Sequence, residues 1–163
     1  MSVKNLWIMC GASGSGKSYF AKTRLITGEH VCYVSRDEVR YSLITENDKY
    51  FSKENQVFAQ FTNKIREALD NEKYTDIIAD ATHLNWNSRR KLLNALGLNN
   101  KHDNINIIPV WVTCDMNTIL ERNDQREGRA RVPGEEIIKM IGRMRHPRSD
   151  PYKYTAIMEV YNE

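Results

Sequence analysis

Long hydrophobic runs are missing from this sequence: no apolar stretch approaches the roughly 20 residues that a spanning helix needs, so a membrane-embedded protein is not expected. Cysteine is scarce. Cys10, Cys32 and Cys114 are odd in number and widely spaced, and each sits within an apolar strand-like run. That pattern suits reduced, buried thiols better than disulfides or zinc ligands. Met1-Ser-Val-Lys-Asn runs into the first strand-like segment without a charged n-region, apolar stretch or small-residue cleavage site, so a cytoplasmic location is expected. Repeats, low-complexity tracts and linker-like stretches are absent as well. Charge of one sign is not in large excess: the net +3 is too small to imply a nucleic-acid partner by itself.

What is there is an ordinary globular composition, 40% hydrophobic and 28% charged, in 163 residues. That length suffices for one core without disulfide or metal staples, so residues 1–163 are expected to form a single domain. Short continuous apolar runs alternate with helical periodicity. Leu6 to Cys10, Val31 to Val34 and Asp76 to Ala79 read as strands buried on both faces, each ending at a loop. Between them, Val57, Phe61, Ile65, Ala68 and Leu69 recur at helical spacing from Lys53 to Lys73, and Leu92, Leu93 and Leu96 mark a further helix stopped at Gly97. Ile105 to Cys114 is a fourth strand, although Pro109 argues for a bulge or a start nearer Val110. Asp115 can cap the next helix, and Ala156 to Tyr161 reads as a fifth strand or an extension. This alternation predicts an α/β protein, an open parallel sheet of about five strands flanked by helices, with ligands at the carboxyl ends of the strands.

The strongest motif lies at the first of those ends. Gly11-Ala12-Ser13-Gly14-Ser15-Gly16-Lys17-Ser18 matches G-x-x-x-x-G-K-[ST] after a strand and before a helix, the context of a phosphate-binding P-loop. Its glycines let backbone N–H groups turn onto phosphate oxygens, Lys17 bridges the β- and γ-phosphates, and Ser18 ligates Mg²⁺. Mg·ATP is therefore the expected ligand. Asp80, at the end of the third strand, is placed to orient water on the metal or else to cap a helix.

A P-loop supplies no general base for an alcohol acceptor. Asp37, in Ser35-Arg36-Asp37-Glu38-Val39-Arg40, is the candidate, with Arg40 one helical turn away to grip an acceptor phosphate; a plain helix cap is the alternative for Asp37. Thr82 and Asn85, in the loop after Asp80, are candidate acceptor contacts, whereas His83 is expected to be a solvated loop residue without a catalytic role. Arg122 and Arg126 lie four apart on one predicted helical face, followed by Arg129, Arg131 and a Gly- and Pro-containing break expected to be mobile. These read as a lid over residues 122–134, or as arginines paired with Glu121, Asp124 and Glu127 on a surface helix.

The motifs GASGSGKS, SRDEVR, ADATHLN with Arg89 beyond it, and RNDQREGRARVPGEEIIKMIGRM together resemble the P-loop kinases related to phage-type polynucleotide 5′-hydroxyl kinases. The resemblance implies transfer of the γ-phosphate of ATP to a nucleic acid 5′-hydroxyl end. It implies Asp37 as general base, Arg40 on the phosphate next to the accepting end, and Arg122 and Arg126 on the phosphates of ATP. The lid is about a residue longer than the family pattern, which leaves Arg129 and Arg131 without assigned parts. No D-x-D-x-T run is present, so a phosphatase activity is not expected. A kinase of a nucleoside, sugar or antibiotic, and a nucleotide-dependent switch, remain as alternatives.

Overall fold

Side chains along β1 (Lys4–Cys10) alternate between two apolar environments: Leu6, Ile8 and Cys10 join one core cluster, while Met9, with Trp7 beside it, joins another. A strand apolar on both faces belongs in the interior of a sheet covered on both sides. The computed structural model, which describes residues 2–100 and 102–162 without the Arg129 side chain, places β1 there. It lies between β3 (Asp76–Asp80) and β4 (Ile105–Cys114), with β2 (Val31–Ser35) and β5 (Met158–Asn162) at the edges. The order is β2-β3-β1-β4-β5 and every pairing is parallel.

Helices cover both faces. The α1 helix (Lys17–Phe20) runs into a π-helical stretch at Ala21–Leu25, and Ala21 packs with Met9, Ile78, Val110 and Val112. On the other face lie α2 (Arg36–Leu43), α3 (Glu54–Asp70) and α4 (Trp86–Ala95). The apolar stripe of α3 is buried as its spacing predicts, with Val57, Phe61 and Ile65 against Leu6, Ile8 and Ile77; each such side chain contributes about 1.5–3 kcal/mol of burial. A smaller cluster of Ile119, Val132 and Ile137 joins α5 (Met116–Asp124) to α6 (Gly134–Arg143). No described helix is long and apolar enough to cross a membrane.

Three local expectations are corrected. Pro109 sits inside an unbroken β4, paired with Ile8. Ile107 directs both its N–H and its carbonyl to Thr155, and Pro109, two residues on, faces the same side just before β5 begins at Met158, so the donor it lacks costs no ladder bond. Cys10 is buried but Cys32 and Cys114 are only partly so, and all three are free. The helix carrying Arg122 ends at Asp124, which puts Arg126 beyond it rather than on a shared helical face.

The connection after β1 leads to one side of the sheet and the connection after β3 to the other. A crevice forms where such connections diverge. The P-loop after β1, Asp80 at the end of β3 and the start of α2 after β2 all meet at this edge.

Candidate functional site

The loop from Gly11 to Ser18 is shaped by neighbours that tolerate little else. Gly11 donates its N–H to the Thr82 carbonyl at 2.9 Å, and a Cβ there would lie 2.7 Å from the Val112 carbonyl oxygen. Gly16 has φ +91°, and a Cβ would meet Asn162 Nδ2 at 2.5 Å. That amide donates to the Ser15 carbonyl at 2.9 Å, so the end of β5 braces the loop. Gly11, Ala12 and Ser15 lie behind the turn, whereas Gly14, Gly16, Lys17 and Ser18 line a cavity of about 520 Å³ together with Arg122, Arg126 and Asn162. Both lid arginines therefore face the P-loop, although only Arg122 is helical.

On the other side of Lys17 and Ser18 is a second cavity, of about 200 Å³, whose lining includes Ser13, Arg36, Asp37, Arg40, Asp80, Thr82 and Val132. Lys17 and Ser18 thus form a wall common to both cavities. Asp80 Oδ2 accepts from Ser18 Oγ at 2.6 Å and from the Tyr33 hydroxyl, while Asp80 Oδ1 is buried without a hydrogen-bond partner. Burial and the Asp80 charge push the Tyr33 hydroxyl upward and keep it a donor. A buried, unbonded carboxylate oxygen beside Ser18 fits the hydrated, phosphate-bound Mg²⁺ of a nucleotide. Among the described residues no cluster of three or more His, Cys, Asp or Glu assembles, so Ser18 and Asp80 would be the protein's share of such a site.

Asp37 Oδ1 is held from two directions, by Arg40 Nη1 at 2.5 Å and the Tyr50 hydroxyl at 2.9 Å. Its side chain is 55% exposed, and among the described residues its Oδ2 accepts no hydrogen bond. One oxygen is anchored and the other is not.

Arg40 requires a correction. It lines the cavity as the spacing implies, but its side chain is 6% exposed and its donors are mostly spent. Nε and Nη2 form a two-point pair with Glu54 at 2.7 and 3.1 Å, and Nη1 bonds Asp37 and Tyr50. Four of its five N–H groups are occupied, and the guanidinium also stacks 4.5 Å from the Tyr50 ring centre. Arg40 is first a brace for Asp37. Burial alone would raise the Glu54 carboxyl, but the hydrogen bonds and charge of Arg40, with Arg36, hold it below the usual range. Arg36 is the less satisfied cation: Nη2 reaches Glu54 at 2.9 Å, while Nε is buried without a partner.

Asn85 also has a structural part. Its side-chain oxygen accepts from the Ser88 N–H, completing a capping box at the start of α4, and its amide donates to the Arg143 carbonyl. It caps a helix and is not among the residues that line this cavity. His83 is not solvated. It is 4% exposed, has φ 38°, and donates from Nδ1 to the Met9 carbonyl at 2.7 Å; burial drives its pKa down to about 3. The segment expected to be mobile is fastened at Val132, whose N–H and carbonyl both bond the buried Asn123 side chain. Arg131 pairs with Asp124 at 3.1 Å on the surface, while the Arg129 side chain lies outside the described residues.

Tyr33, Arg36, Tyr50, Glu54 and Asn162 are the candidate-site residues that sequence reading misses. The only signals were positional: Asn162 at the carboxyl end of a strand, and Glu54 in the first turn of a helix.

The sequence model of the AAA domain family matches residues 6–147. Among solved structures, a chain of the Pnkp1/Rnl/Hen1 RNA repair complex superposes with a TM-score of 0.69 at 20% identity, covering 88% of this chain and 45% of that one. This chain therefore spans less than half the length of that relative. A gluconokinase from Sinorhizobium meliloti 1021 gives 0.60 at 16% identity, covering 99% and 84%, and a fungal RNA kinase 0.64 at 11% identity, covering 98% and 75%. At these identities the likeness is one of fold. No curated protein matches the sequence.

Proposed function

This chain belongs to the AAA domain family, and from that premise we propose that it is a P-loop kinase that transfers the γ-phosphate of ATP to the 5′-hydroxyl of a polynucleotide. The observation that carries the reading is the common wall of Lys17 and Ser18 between two cavities. One is flanked by Arg122 and Arg126; the other holds a carboxylate with one free oxygen.

The nucleotide phosphates bind over Gly14, Gly16 and Lys17, with Arg122 and Arg126 on the far side. Asp37 Oδ2 takes the proton of the acceptor hydroxyl as that oxygen bonds to the γ-phosphorus and the bond to the departing ADP oxygen breaks. Lys17 and the two arginines stabilise charge on the moving phosphoryl group. Mg²⁺ held through Ser18 and Asp80 would neutralise β- and γ-phosphate charge when bound. Arg36, with the remaining N–H of Arg40, supplies the cationic contact for the phosphate next to the accepting hydroxyl, which makes a nucleoside 3′-phosphate the minimal acceptor.

A second reading, a kinase of a small alcohol such as a sugar, draws support from the small acceptor cavity of about 200 Å³, below the ordinary range for ligand sites. The deciding experiment is transfer from γ-labelled ATP to 5′-hydroxyl oligonucleotides, nucleoside 3′-phosphates, nucleosides and sugars. Label on the first two, with nucleosides much poorer, is the expected result. Equal use of nucleosides and nucleoside 3′-phosphates, or preference for a sugar, would overturn the polynucleotide reading.

A further inference from the structure

Asn123 is a polar side chain in a place where polar side chains are rare: it stands in the last turn of α5, only 1% exposed, and lines neither of the two cavities. Both ends of its amide are spent on one residue. Oδ1 accepts from the Val132 N–H at 2.9 Å and Nδ2 donates to the Val132 carbonyl. A side chain that meets both backbone groups of a single residue satisfies them as a strand neighbour would, and it fixes that residue against the helix. Arg122 precedes Asn123 in the chain, and Arg126 donates its backbone N–H to the Asn123 carbonyl at 3.1 Å and Nη1 to the Ala130 carbonyl at 3.4 Å. The apolar side of the same unit repeats the connection. Ile119, one helical turn before Asn123, shares a buried cluster with Val132, and its carbonyl oxygen lies 3.1 Å from where a Cβ on Gly14 of the P-loop would stand.

One residue therefore ties together side chains that face different ligands. Arg122 and Arg126 line the nucleotide cavity, whereas Val132 lines the acceptor cavity. We propose that Asn123 is a positioning residue that couples the two sites: nucleotide phosphates drawn to Arg122 and Arg126 set the end of α5, and the clasp on Val132 carries that setting into the acceptor wall. The inference rests on the polynucleotide kinase reading and adds to it a dependence of acceptor binding on the nucleotide. An acceptor that enters after the nucleotide meets a wall already ordered, and so gives up less on binding. The dependence is reciprocal, since by linkage the acceptor must tighten the nucleotide by the same factor.

The test is equilibrium binding of a 5′-hydroxyl oligonucleotide with and without saturating ADP, which occupies the nucleotide cavity and has no γ-phosphate to transfer. The wild-type protein should bind the oligonucleotide about 5- to 150-fold more tightly when ADP is present, the usual range of coupling between two sites. Asn123→Ala should bring that ratio close to one. A merely structural Asn123 would lower the urea midpoint and weaken both ligands alike, but would leave the ratio where it was. Should Asn123→Ala fail to fold, Arg122→Ala keeps the clasp and removes a grip on the nucleotide, and the ratio must fall there too. A wild-type ratio of one, or an undiminished ratio in either variant, overturns the coupling while leaving the kinase reading intact. An oligonucleotide that neither binds nor takes label from ATP overturns both.

Discussion

Two arginine–carboxylate clusters in this molecule are built from the same groups and differ in what they leave undone. Arg89 and Asp150, 0% and 1% exposed, form a two-point pair at 2.7 and 2.9 Å. Two further Arg89 donors reach the carbonyls of His83 and Arg145, and Tyr154 donates to Asp150. The cluster binds the loop after β3 to the segment before β5, and it is closed. Around Arg40 the same chemistry stays open: Glu54 and Tyr50 hold Arg40 and Asp37 in place, but Asp37 lines a cavity with one oxygen unbonded and Arg36 Nε has no partner among the described residues. A satisfied buried pair fixes a fold, whereas an anchored pair with an unmet donor or acceptor is set for a ligand.

The contrast fails if the two clusters respond alike to substitution. Asp150→Ala leaves the Arg89 guanidinium buried and unpaired, which should cost about 3–5 kcal/mol of stability, read as a fall in the urea midpoint. Asp37→Asn should instead cut turnover by about 10²- to 10⁴-fold, the worth of a positioned base, with ATP affinity and the urea midpoint held. A comparable loss of stability in both variants would place Asp37 in the frame.

A finer division lies within the open cluster. Arg36→Ala should cost on the order of 10- to 100-fold in kcat/KM with acceptors carrying a phosphate beside the hydroxyl, the value of a charge-assisted hydrogen bond, and little with acceptors lacking it. Measuring both acceptors in both proteins isolates that contact; an equal loss with the two would make Arg36 a brace like Arg40. The smallest effect belongs to Asn85. Its replacement by alanine should lower stability by about 1 kcal/mol as a lost helix cap, seen in thermal unfolding, while acceptor KM stays put. A raised KM would return Asn85 to the acceptor site.

The sheet was legible because strands buried on both faces and a long helical stripe leave strong periodic signals, as in Leu6 to Cys10 and Val57 to Ala68. Lys17, Ser18, Asp80 and Asp37 were legible because strand ends and fixed local spacing place them. Partners arriving from afar were not. Glu54 meets Arg40 across 14 residues and Asn162 meets Ser15 across 147, and local periodicity carries nothing about such pairs. The spacing of Arg40 suggests a grip on an acceptor phosphate, and nothing near it in sequence announces Glu54. Asn85 differs: with Ser88 it carries the spacing of a capping box, a local signal that is legible in the sequence. Pro109 misled because its effect depends on which neighbour its missing N–H faces, and that is set by the register of β5.

The central claim is that donor and acceptor meet across one wall of Lys17 and Ser18, so that phosphate passes directly between them. Stereochemistry tests it most directly, using ATP with a chiral, isotopically labelled γ-thiophosphate and a 5′-hydroxyl oligonucleotide. A single in-line transfer between adjoining cavities inverts the configuration at phosphorus. Retention would mean that the phosphoryl group passes first to a residue of the enzyme, and would contradict the account.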